Sequence, residues 1–70
     1  MKRSDITDDA VVDACARAHA EDARSLDVLM ASTRAPRKVA LAAMYRACGN
    51  GRIDWGVTIE LAWPCTTRAT

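Results

Sequence analysis

Cysteine is sparse in this chain and badly spaced for chemistry. Cys15, Cys48 and Cys65 are odd in number and far apart, with no CxxC pair and no Cys/His cluster. That spacing excludes the common zinc sites, so no metal is expected, and three cysteines cannot form a closed disulfide set. Cys15 and Cys48 read instead as small buried hydrophobes of a protein kept in a reducing cytoplasm. A membrane segment is missing as well: the longest unbroken apolar run, Val39 to Tyr45, is far too short to cross a bilayer. The opening MKRSDITDD turns acidic where a secretory signal needs an apolar stretch. No nucleophile–base pair, EF-hand spacing or phosphate-binding glycine loop is present. The expectation is therefore no enzyme, no cofactor and no small-molecule substrate.

Bulky apolar side chains are the next shortage. Half of the 70 residues are hydrophobic, yet 14 of them are alanine. One small domain of this length has a thin stability margin. Most of its core must come from Val11, Leu26, Leu29, Met30, Val39, Met44, Ile53, Trp55, Ile59, Leu61 and Trp63. A homodimer is one way to bury more surface.

What is present is orderly, without repeats or low-complexity tracts. Thr7 can cap a first helix running to about Ala20, with Asp8 and Asp9 suiting the positive end of its dipole. Ile6 can pack on Val11 as a hydrophobic staple. Val11, Ala14, Cys15 and Ala18 form one buried stripe, and Asp13 with Arg17 an i,i+4 ion pair on the wet side. His19 suits the last turn of that helix, near the negative end of the dipole. AEDAR is a polar connection. Ser25 can cap a second helix with Leu26, Leu29 and Met30 on one face, broken at STRAP. Thr33 can cap a third, with Pro36 in its first turn. Val39, Ala43, Ala47 and Cys48 make its inward face, flanked by Ala40 and Met44. Gly49, Asn50 and Gly51 stop it.

From residue 53 to 63 every odd position is apolar: Ile53, Trp55, Val57, Ile59, Leu61 and Trp63. That alternation predicts extended chain with one dry face. A single straight strand of that length is too long for the domain, so a hairpin is expected, with Gly56 as the breaker. If both arms keep odd residues inward, the loop holds an odd number of residues. A loop of Gly56, Val57 and Thr58 would pair Trp55 with Ile59 and Ile53 with Leu61; a longer loop centred near Thr58 is equally allowed. The tail from 64 to 70 reads as frayed.

The order is three helices and then a hairpin, the second and third helices (about 25–48) separated by a short turn. PRKVALAAMYRACGNGRIDWG, followed by LAWPCT, resembles winged helix-turn-helix domains over about residues 25–65. A K-V … A … G-x-I-D/E run leads into the first wing strand, and an aromatic-x-x-T segment returns. The chain also looks like small uncharacterised proteins of actinobacteria and their bacteriophages that join a similar helix to an IDYGV…W-x-T ending. The resemblance implies a mainly α fold with a two-stranded wing, and a cytoplasmic regulator that binds double-stranded DNA with the third helix as its recognition helix. Arg37 or Lys38 would then reach guanine or phosphate, Tyr45 and Arg46 would bond phosphates, and Arg34 and Arg52 would hold flanking backbone. The charge distribution leans the same way. Residues 1–35 sum to −2 and residues 36–70 to +3, within a formal total of +1.

Two plainer readings stand beside this one. Arg37, Lys38 and Arg46 can be the solvated face of an amphipathic helix, with Tyr45 half-buried against it. Trp55, Val57, Ile59, Leu61 and Trp63 can exceed what the core covers, leaving a patch for a second copy or a host protein.

Overall fold

In the computed structural model, which describes residues 2–65, a single 3-10 turn at Arg3–Asp5 precedes three helices: α1 at Asp8–Ala20, α2 at Ser25–Thr33 and α3 at Arg37–Gly49. A two-stranded antiparallel sheet follows, β1 at Ile53–Asp54 and β2 at Trp63–Pro64, with a second 3-10 turn at Ile59–Leu61 between the strands. The chain is thus mainly α with a small hairpin after the helices. No helix among the described residues is long and apolar enough to cross a membrane.

Local chemistry sets the helix ends. Thr7 caps α1, its hydroxyl oxygen accepting the Ala10 N–H at 3.1 Å, and Ile6 is buried beneath it. Both α1 and α3 end in a Schellman arrangement. At α3 the Arg52 N–H donates to the Ala47 carbonyl at 2.9 Å and the Gly51 N–H to Cys48 at 3.0 Å, with Gly51 at φ 75°. At α1 the Ala23 N–H donates to the Ala18 carbonyl at 2.8 Å, and Asp22 takes the left-handed position.

Ser25 and Thr33 serve otherwise than their expected caps. Arg24 is the N-cap residue of α2, and Ser25, buried inside the first turn, donates its hydroxyl to the Ala62 carbonyl. Thr33 closes α2, donating to the Leu29 carbonyl at 2.7 Å, while Pro36 is the N-cap residue of α3 rather than part of its first turn. Between the two helices lie Arg34, Ala35 and Pro36 alone, with Arg34 left-handed at φ 59°.

The core gathers Ile6, Val11, Cys15, Leu26, Leu29, Met44, Ile53 and Ile59 with alanines between them. The inward face of α3 is Ala40, Ala43, Met44 and Ala47; Val39 and Cys48, expected inside, are only half-buried. Three of the four buried residues of α3 are alanines, so small side chains make most of its contact with the core.

The hairpin departs from the alternation in the sequence. Ile53 pairs with Pro64 and Asp54 with Trp63, so the residues from Trp55 to Ala62 form the loop. Neither expected pairing, Trp55 with Ile59 or Ile53 with Leu61, forms. Paired residues of a sheet share a face: buried Ile53 faces inward beside Pro64, and exposed Trp63 shares the wet side with Asp54. An even loop puts odd Trp63 on the opposite face from Ile53. In the loop, the three-residue period of the 3-10 turn governs burial. Ile59 and Ala62 point inward, whereas Val57 and Leu61, expected on the dry face, are exposed. Pro64 and Cys65 belong to the ladder, the Cys65 N–H donating to the Arg52 carbonyl at 3.0 Å, so the expected fraying does not begin at 64. The rest of that tail, 66–70, lies outside the described residues.

Candidate functional site

The six basic and aromatic candidates separate into two groups. Arg46 and Arg52 lie where α3 ends and β1 begins, and both are held by the first turn of α1. Arg46 Nε donates to Asp8 Oδ1 at 2.9 Å, and a second nitrogen of the same guanidinium reaches the Ile6 carbonyl. Arg52 is paired with Asp9. Asn50 Nδ2 donates to the other oxygen of Asp8 at 2.8 Å. The Asn50 bond is the main influence holding the Asp8 carboxyl below its ordinary pKa; partial burial opposes it, and the bond and charge of Arg46 and the charge of Arg52 add to it. Asp9 in turn pushes the Arg52 pKa upward. These two arginines tie α1 to the far end of α3, and their charge is already matched.

Arg34, Arg37 and Lys38 surround the start of α3, and all three are exposed. Arg34 and Lys38 make no side-chain hydrogen bond or ion pair among the described residues. Arg37 Nη2 donates to Glu60 Oε2 at 2.7 Å, and Arg24 Nη1 approaches Glu60 Oε1 at 3.4 Å. Pro36 supplies no side-chain cap, so the first N–H groups of α3 have no side-chain acceptor. Tyr45 lies two turns further along and is 56% exposed, more than the half-buried packing reading expects. Leu41 and Ala42 between them are half-buried.

The apolar candidates also divide. Ile59 is core and Trp55 packs half-buried against it, so neither can form an exposed patch. Val57 at 96%, Leu61 at 48% and Trp63 at 40% remain on the surface. Trp63 is not loose. Its ring meets His19 edge-on, centroids 6.4 Å apart, and runs beside Gly56, where an added Cβ would sit 3.5 Å from the indole.

Sequence reasoning missed Arg24 and Glu60. They lie 36 positions apart and meet only after the loop folds back on α2. The sole advance signal is that Glu60 is one of two acidic residues in a basic half of the chain.

Set against protein-family models, curated proteins and solved structures, the chain matches none of them.

Proposed function

We propose that this chain is a small cytoplasmic regulator on a winged helix-turn-helix plan that binds duplex DNA through the turn before α3 and the first turn of that helix. One observation carries the reading: Arg34 and Lys38 stand exposed, without a side-chain partner among the described residues, on either side of exposed Arg37, at a helix start with no side-chain cap. Unpaired cations beside free backbone N–H groups are what a phosphate backbone requires. Arg46 and Arg52 fall outside the interface because Asp8 and Asp9 hold them. About three phosphate contacts give a slope near −3 in log K against log salt, which is roughly a 40-fold loss between about 50 and about 200 mM salt.

Fluorescence anisotropy on a short duplex tests this. The wild-type slope should lie near −3, and Lys38→Ala should bring it to about −2. Lys38 is exposed and has no side-chain partner among the described residues, so the variant should keep its fold. No binding at the lowest salt sinks the proposal.

A second reading draws on Val57, Leu61 and Trp63, whose exposure suits a host protein or a second copy of the chain. Sedimentation that becomes concentration-dependent, and is abolished by Val57→Asp, would favour it over the first.

A further inference from the structure

Glu60 receives two guanidinium groups on its two carboxylate oxygens, Arg37 at 2.7 Å and Arg24 at 3.4 Å. The arginines come from different helices but from the same end of each: Arg24 is the N-cap residue of α2, and Arg37 is the first residue of α3. Neither helix start has a side-chain cap. Two full positive charges therefore share one carboxylate, and the cluster stays net cationic. Glu60 is also the most enclosed member. Its side chain is 24% exposed against 64% for Arg24 and 58% for Arg37. The loop is fastened there by Ile59 in the core, by the Ser25 hydroxyl on the Ala62 carbonyl, and by the Glu60 N–H on the Thr58 hydroxyl oxygen at 3.3 Å.

We propose that Arg24 and Arg37 form a phosphate-binding fork, occupied in the free protein by the chain's own Glu60. A phosphodiester presents two charged oxygens to the paired guanidinium groups as the carboxylate does. The ligand is a backbone phosphate of duplex DNA, and for that source the inference rests on the DNA reading above; the fork itself is a statement about phosphate. The exchange makes and breaks only ion pairs. Because an incoming phosphate must displace pairs already formed, Glu60 lowers affinity and hides part of the salt dependence. It is an internal competitor that sets how tightly the protein holds DNA.

Glu60→Gln keeps the length of the side chain and removes its charge. It should bind the duplex several-fold more tightly than wild type at low salt, with a slope steeper by about one, the contribution of Arg24. Adding Arg24→Ala should return the slope toward the wild-type value. Glu60→Ala is the second variant, used if the glutamine form loses the wild-type amide spectrum. Independently of DNA, the Nε–Hε resonances of Arg24 and Arg37 should shift with inorganic phosphate at constant ionic strength in the Glu60 variants, and far less in wild type. Silent arginine resonances in those variants overturn the fork whatever the duplex does. So does unchanged or weaker duplex binding by Glu60→Gln while wild type binds in a Lys38-dependent way, since Glu60 would then only position Arg37. Arginine shifts with phosphate, but no duplex binding by any form, keep the fork as a phosphate site and remove the DNA reading.

Discussion

Arg34 is in internal conflict. Its backbone is left-handed at φ 59°, a conformation that costs a residue with a Cβ about 1 kcal/mol and costs glycine nothing. Its side chain is, with Lys38, one of the cations at the start of α3 that have no side-chain partner among the described residues. Arg34→Gly therefore separates stability from binding. Relief of the backbone outweighs the extra freedom of glycine in the unfolded chain, and the variant should gain about 0.5 kcal/mol in urea unfolding. It should bind duplex DNA more weakly, with a slope smaller by about one. A variant that is both more stable and undiminished in binding would remove Arg34 from the interface. Ser25 presents no such conflict. It is 1% exposed and gives its hydroxyl to the carbonyl of fully buried Ala62. Ser25→Ala leaves that carbonyl without its donor, at a cost of about 1–3 kcal/mol. The same loss frees the loop that carries Glu60, so the midpoint of unfolding should fall and the Arg37 resonances should broaden. A drop below about 0.5 kcal/mol would mean that water replaces the hydroxyl.

The elements were legible in the sequence wherever a local signal decided them. Thr7, the stripe Val11, Ala14, Cys15 and Ala18, the Asp13–Arg17 pair at 3.1 Å and the glycine stop after α3 all appear as read, because each depends on residues within one or two turns. The buried face of α3 keeps the expected Ala43 and Ala47 but takes the flanking Ala40 and Met44 in place of Val39 and Cys48, since with so many alanines the pattern alone cannot say which small residue faces inward. Ser25 and Thr33 look like caps and act otherwise, because their hydroxyls find carbonyls that a cap rule does not consider. The hairpin is legible, and its loop is the longer one centred near Thr58, but it holds an even number of residues where the alternation calls for an odd one. Alternation from 53 to 63 and a 3-10 turn at 59–61 both place Ile59 inside, and Val57, Leu61, Ala62 and Trp63 distinguish them. Tertiary pinning of Ala62 by Ser25, 37 positions away, decides between the two. The candidate site was half legible for the same reason. That Arg34, Arg37 and Lys38 are exposed follows from their place at a helix start, whereas the partners of Arg37, Arg46 and Arg52 are all distant in sequence.

At the scale of the whole molecule, folding resolves the charge imbalance between the two halves of the chain. The acidic first turn of α1 neutralises the end of α3 and the start of β1, and the cationic surplus is left at the opposite end of α3. The neutralised end has a measurable signature in pH. The Asp8 carboxyl is held below its usual range mainly by the Asn50 amide, against the opposing effect of burial, with Arg46 and Arg52 adding to the depression. A depressed carboxyl means the folded protein binds fewer protons than the unfolded chain in this range, so stability rises with pH. The contribution is complete above the unfolded value, about pH 4, and is lost as pH falls through the folded one. Wild type should therefore unfold at nearly constant urea concentration down to about pH 5 and then weaken steeply. Asp8→Asn cannot take part in this change. It should be less stable than wild type at pH 7, decline less steeply in acid, and converge with wild type once Asp8 is protonated. Unfolding curves that remain parallel down to about pH 2 would show that Asp8 does not hold α1 to α3, and Arg46 would then have to be reconsidered as a contact for the proposed DNA.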